Sequence, residues 1–217
     1  MDLYEAMRCA PTSRRFTDEP VAPEALHRAL DAARFAPSGG NRQGWRVVVV
    51  RDPERRRAIR ELYLPHWRRY LGETGAARML EAPGDFDPAR VRMVQRANEY
   101  AEALHEVPVH LLLGVRLAEL VVTDSELPRE SIVGGASIYP FVQNLLLALR
   151  GEQLGAAMTT LLVPAEAEVR ELLGLPEDVA LAAHVGVGHR ADPWPKLLAR
   201  HPVEEFAFAE RYGEPLA

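Results

Sequence analysis

The segment APSGGNRQGWRVVVV, Ala36 to Val50, decides how this chain is read. A helical pattern ahead of it ends at Phe35. Proline, serine and two glycines then stop the helix. Asn41, Arg42 and Gln43 crowd hydrogen-bonding groups onto a backbone freed by Gly39 and Gly40. Trp45 reads as a core anchor. Val47 to Val50 is an uninterrupted β-branched run, which predicts a central strand covered on both faces. So polar a loop, set directly before a buried strand, is either a plain helix stop or a turn that faces a ligand.

The flanking sequence supplies the rest of the architecture. A short helix is predicted over Asp2–Met7, and Pro11–Val21 reads as a loop or extended segment. Pro23 suits a first helical position, after which Leu26, Leu30 and Ala33 share one face. Asp52-Pro53 pairs a cap with a first position and opens a helix expected to break near Pro65. Asp87-Pro88 repeats that signal and opens an amphipathic helix to about His105. Val107–Val115 is a second buried strand, and residues 116–131 are polar and irregular. Ile138–Arg150 carries few charges and reads as a central helix. Leu154–Val163 starts as a strand, Pro164 opens a short helix ending at Gly174, and Val179–Gly188 is a fourth strand. Residues 190–217 are apolar but aperiodic, with Trp194, Phe206, Phe208 and Tyr212, as expected of an arm that packs on a neighbouring subunit. Helices and strands intersperse without a strict βαβ rhythm, so the fold class is α+β. The whole chain, 1–217, reads as one domain.

Composition excludes several functions. At 217 residues and 47 % hydrophobic the chain affords a core, and disorder is excluded. A net charge of −5 is not that of a nucleic-acid binder. Cys9 is the only cysteine, so neither an internal disulfide nor a cysteine-rich zinc site is available. No apolar run approaches a membrane span and no signal segment is evident, which predicts a soluble, cytoplasmic protein. The dinucleotide fingerprint, the P-loop, the zincin helix and the nucleophile elbow are all absent. The histidines are scattered, so no metal site is expected.

What remains is rich in arginine and glycine. Thr12, Ser13, Arg14 and Arg15 set two guanidiniums beside two hydroxyls. Pro37, Ser38, Gly39, Asn41 and Gln43 form the loop quoted above. Arg190 and Arg200 follow in the tail. Arginine binds phosphate through a planar fork of donors, and glycine lets main-chain N–H groups approach a ligand. The set suits an anionic, planar, amide-rich ligand, a description that flavin mononucleotide (FMN) meets. Each part also has a plainer reading as turn, solvated loop or ordinary strand residue, and spacing alone does not name flavin.

The motifs TSRRFTDEPV, APSGGNRQGWRVVVV, SIYPFVQNLLLALRGEQLGAAMTT and VGVGHR, in that order, resemble the nitroreductase-like FMN flavoenzymes. The resemblance spans nearly the whole chain. It implies a mostly antiparallel central sheet flanked by helices, in an intertwined homodimer with FMN at the interface and tails embracing the partner. It places Arg14 near the flavin N1/O2 edge or ribityl chain, with Thr12 and Ser13 in the same segment. It sets Pro37, Ser38 and Gly39 against the ring of the other subunit's flavin, with Asn41 and Gln43 as supports or contacts. It assigns the main chain at Thr159 and Thr160 to flavin N5, and Arg200 to the phosphate. The family's arginine or arginine pair is missing at Ala10 and Pro11, where Arg8, Arg15 or Arg190 are the substitutes in view. Gly44 stands where the family often has proline.

The implied activity passes hydride from NADH or NADPH through flavin N5 to a nitroaromatic, quinone or enone by ping-pong kinetics. No catalytic side chain is required, because the cofactor carries the chemistry. Residues 63–105 are expected to cover the mouth of the site. There Trp67, Tyr70, Phe86 and Tyr100 either pack helices, the commoner case, or stack on substrate. The alternatives are a specialised enzyme of the same fold (reductive dehalogenase, flavin-cleaving enzyme, biosynthetic dehydrogenase) or a non-catalytic flavin-binding protein.

Overall fold

The computed structural model describes residues 1–216; Ala217, the last residue of the expected arm, lies outside the described residues. Aspartate caps start three of the seven α-helices among the described residues. In α1 (Leu3–Cys9) the Asp2 carboxylate accepts from the Glu5 N–H at 2.8 Å. Helix α2 (Pro23–Ala33) begins on Pro23, where the missing N–H costs nothing. Strand β1 (Trp45–Val50) leads to α3 (Pro53–Glu73), capped by Asp52. A short α4 (Ala77–Glu81) precedes α5 (Pro88–Glu102), capped by Asp87. Then come β2 (Val109–Arg116), α6 (Tyr139–Gly151), β3 (Leu154–Thr159), α7 (Glu166–Leu173) and β4 (Val179–His189).

The four strands form one antiparallel sheet in the order β1-β2-β4-β3. Leu111 pairs with Val185 and Ala157 with Gly186, so alternate side chains of β2 and β4 feed opposite faces. One face receives Leu111, Leu113, Val185 and Val187 and packs against α2 and α6. The other receives Leu112, Leu181 and Ala157 and packs against α3, α5 and α7. The α+β class and the antiparallel sheet agree with the sequence reading.

Two expectations are corrected. The valine run is not central: β1 is an edge strand, paired only with β2 among the described residues, with Val50 buried and Val49 exposed. Valine fits the pleated, half-buried surface of an edge as well as the middle of a sheet, so the run alone did not decide position. The helix expected to break near Pro65 continues to Glu73. Pro65 removes one intrahelical hydrogen bond, but Tyr63, Leu64, Trp67 and Leu71 around it are buried in the core, and that packing holds both halves in line.

The arm starts on its own chain. The Ala191 N–H donates to the Arg15 carbonyl at 3.1 Å and the Leu198 N–H to the Arg8 carbonyl at 2.9 Å. Along the arm, Leu197, Phe206, Tyr212 and Leu216 stand exposed. No described helix is long and apolar enough to cross a membrane.

Candidate functional site

The segment Pro11–Thr17 lies along the sheet edge. Thr12 bridges in parallel to Ala156 on β3, and Phe16 bridges to Arg190 just past β4. The Ser13 N–H donates to the Ala156 carbonyl at 2.8 Å and the Thr17 N–H to that of His189 at 2.9 Å. Gly155 makes this approach possible: a Cβ there would sit 2.8 Å from Ser13 and from the Arg190 side chain. Extended backbone alternates its side chains. Ser13 therefore turns inward, fully buried, and its Oγ accepts from Arg190 Nη1 at 2.9 Å. Thr12 and Arg14 turn the other way, into a cavity.

That cavity encloses about 610 Å³. Thr12 and Arg14 form one wall, and Thr159, Thr160 and Leu161, where β3 ends, form the floor. Tyr63, Trp67 and Tyr70 of α3 and Tyr100 of α5 supply an aromatic wall. Trp67 is fixed by donating to Asn98 Oδ1 at 2.9 Å and stacks on Tyr70. Burial raises the Tyr63 hydroxyl above its ordinary pKa, against a hydrogen bond with Thr159 and the nearby Arg14 charge. Burial raises Tyr100 as well, and its hydroxyl has no hydrogen-bond partner. No carboxylate lines this cavity among the described residues, so the charge lent by Arg14, and by Arg90 on α5, is uncompensated.

The loop quoted at the outset lies apart. Gly40, Asn41 and Gln43 all adopt left-handed backbone, at φ 60°, 53° and 55°. Side chains hold this conformation in place. Ser38 Oγ accepts from the Gln43 N–H at 3.0 Å, and Gln43 Nε2 donates to Asn41 Oδ1 at 3.2 Å. The Gly39 N–H donates to Ser137 Oγ at 3.0 Å. Trp45 stacks on Phe141 of α6, with ring centroids 5.0 Å apart, and ties the loop's exit to the core. Pro37, Ser38 and Gly39 face a second hollow, with Val121 and Ser137, rather than the large cavity.

The Nitroreductase family matches residues 11–189, most of the chain. This chain belongs to that family. The NADH dehydrogenase of Thermus thermophilus is 30 % identical over 185 residues, covering 82 % of each chain. The 5,6-dimethylbenzimidazole synthase of Rhodospirillum rubrum is 30 % identical over 208 residues, covering 92 % of this chain and 82 % of its own. The solved structure of the FMN and NADPH-dependent nitroreductase NfnB from Sphigopyxis sp. strain HMH shares the fold, with a TM-score of 0.70 at 21 % identity, covering 98 % of this chain and all of that one.

Within this nitroreductase fold the structure groups the expected residues unequally. Thr12, Arg14, Thr159 and Thr160 meet in the large cavity. Ser13 lies behind them, and Arg15 pairs with Asp192 at 3.0 Å. Pro37, Ser38, Gly39, Asn41 and Gln43 form the separate loop, and Arg200 is exposed on the arm, bonded to the Ala199 carbonyl. Arg190, one of the substitutes considered for the phosphate, donates to Ser13, Asp192 and Pro193. Phe86 is not among the cavity's lining residues.

Three features escaped the sequence reading. Tyr63 and Arg90 reach the cavity from helices distant in sequence. Asp124 organises the stretch read as irregular: hydrogen bonds from the Ile132 N–H, Ser131 and Arg129 hold its carboxyl at about 2. Beneath the cavity, His110 Nδ1 and His184 Nε2 lie 2.8 Å apart in the sheet, fully buried. Burial keeps both rings neutral, pushing His184 down to about 4. Only the pairing register of β2 and β4 brings these two together.

Proposed function

We propose that this chain is an FMN-dependent oxidoreductase that takes hydride from NADH or NADPH and reduces an electron-poor acceptor such as a nitroaromatic, quinone or enone. The observation that carries this reading is the large cavity: an uncompensated Arg14 beside the main-chain turn after Thr159, closed by an aromatic wall. The residues fit FMN. A flat ring system needs apolar walls, a cation for its pyrimidine edge and main-chain donors at its centre. The unpartnered Tyr100 hydroxyl adds a polar group that a ligand can satisfy. NfnB, by its description, uses FMN and NADPH, and the Thermus relative bears the name of an NADH-linked enzyme.

When bound, FMN would supply the hydride and electron transfer between donor and acceptor. The protein's part is to place and polarise. Arg14 would supply positive charge to the reduced ring, and the turn after Thr159 would offer the Thr160 N–H, since the Leu161 N–H already donates to Thr159 Oγ1 at 3.2 Å. Tyr63, Trp67 and Tyr70 shape the space that donor and acceptor occupy in turn, which predicts ping-pong kinetics. The protein acts as a homodimer of single-domain chains. The edge of β1, unpaired among the described residues, and the exposed apolar side chains of the arm support this.

A second reading, a specialised flavin enzyme, is favoured by the 30 % identity to 5,6-dimethylbenzimidazole synthase. Steady-state oxidation of NADH and NADPH with a quinone separates the two. Parallel double-reciprocal lines support the oxidoreductase. Bound flavin that neither nicotinamide can drive to turnover overturns it.

A further inference from the structure

Arg150 ends α6 in an unusual position. Its side chain is buried, with 7 % of the residue exposed. Its Nη1 donates to Gln153 Oε1 at 3.1 Å, while its Nε is buried without any partner. Its guanidinium lies over the Trp194 ring at 3.9 Å from the centroid. No carboxylate pairs with it among the described residues. The helix C-terminus and the indole face offset part of the cost of burying such a charge. Neither gives Nε an acceptor, and a buried cation without an anion is otherwise strongly disfavoured.

A second guanidinium sharpens the imbalance. Arg190 stacks on the same indole at 5.1 Å. Burial lowers its pKa, Asp192 opposes that, and the Arg150 charge adds to it. Arg190 spends its donors on Ser13, Asp192 and Pro193, so Arg150 is the one with donors to spare. In front of Arg150 lies a small hollow of about 80 Å³, bounded by Ala10, Pro11, Thr12, Met158 and Trp194 among others. Thr12 and Met158 also line the large cavity, so the two spaces adjoin. The hollow has room for a compact anionic head, not for a ring system. Small side chains at Ala10 and Pro11 leave that room.

We infer that Arg150 is an anion-binding residue whose fork, with the Thr12 hydroxyl, receives the phosphate monoester of the cofactor and replaces from α6 the arginine absent at position 10. The inference rests on the flavin reading above and is separable from it. It assigns the phosphate to a residue on the sheet-facing helix rather than to Arg8, Arg15 or Arg190.

Titrating the full-length protein with FMN and with riboflavin, by quenching of flavin fluorescence, tests it. Riboflavin has the ring and ribityl chain but no phosphate. The wild type should prefer FMN by about 10- to 100-fold, the worth of a charge-assisted contact. Arg150→Met should bring the two affinities within about threefold, through loss of FMN binding with riboflavin binding unchanged. Should Arg150→Met lose its melting transition, Arg150→Gln, which keeps a polar group toward Gln153, gives the same reading. Adding Ala10→Arg to either variant should restore a preference of at least about tenfold. Variants that keep the wild-type preference overturn the inference, as does a wild type that binds both flavins equally. A wild type that binds neither overturns the flavin reading, and this inference with it.

Discussion

The two polar segments at opposite edges of the sheet use their side chains in opposite ways. In the loop Pro37–Gln43, Ser38, Asn41 and Gln43 spend their hydrogen bonds on one another and on the loop's own left-handed backbone. In the segment Pro11–Thr17 the sheet does the holding: main-chain bonds to Ala156 and His189 fix the strand, and strand alternation leaves Thr12 and Arg14 free. A self-bonded loop presents a shape, whereas a sheet-bonded strand presents side chains. On the reading proposed above, shape complementarity belongs to the first segment and ligand chemistry to the second.

The largest expected effect tests whether the sheet holds the strand. Gly155→Val places a branched side chain where only 2.8 Å separates a Cβ from Ser13 and Arg190. It should destabilise the protein by about 3 kcal/mol and abolish flavin binding, read by thermal melting and FMN titration. Unchanged FMN affinity would show that the strand can leave β3 without harm to the site.

The cavity side should also be the acid-sensitive side. His184 titrates at about 4 when folded, against an ordinary 6.5, because burial penalises its charged form. The unfolded chain therefore binds that proton more tightly. The contribution is complete above about pH 6.5 and is lost as pH falls toward 4, amounting to on the order of 3 kcal/mol. Melting temperatures across this window should fall in the wild type and fall less in His110→Leu/His184→Leu. Equal slopes would remove the pair from the account.

Arg14→Ala should weaken FMN binding by about 10- to 100-fold, while Arg55→Ala, on an exposed turn of α3, should leave it within about twofold. Equal effects would erase the distinction between free and solvated arginines. The smallest effect belongs to the loop. Ser38→Ala removes the acceptor for the Gln43 N–H and should cost about 1 kcal/mol by chemical denaturation, with FMN affinity reduced less than by Arg14→Ala.

The fold was largely legible in the sequence because its signals are local. Asp-Pro pairs cap α3 and α5, glycine at 174 ends α7 with φ 66°, and apolar runs mark β2 and β4. Position within the sheet was not legible, since the Val47–Val50 run has the same composition at an edge as in the middle. Nor was the passage of α3 through Pro65, which depends on partners from distant elements. At the site, the hydroxyls and arginine of Thr12–Arg14 stood out as a motif. Tyr63, Arg90 and Arg150 did not, because each reads locally as helix packing, a solvated helix face or a helix-end charge. Their environments come from chain segments remote in sequence.

The most direct measurement is the visible spectrum of the purified protein, followed anaerobically by NADH and then NADPH. The account predicts a flavin spectrum, present on isolation or after adding FMN, that one nicotinamide bleaches. A protein that stays colourless with FMN, or a bound flavin that neither nicotinamide reduces, would contradict the assignment of the Arg14 cavity to nicotinamide-driven flavin chemistry.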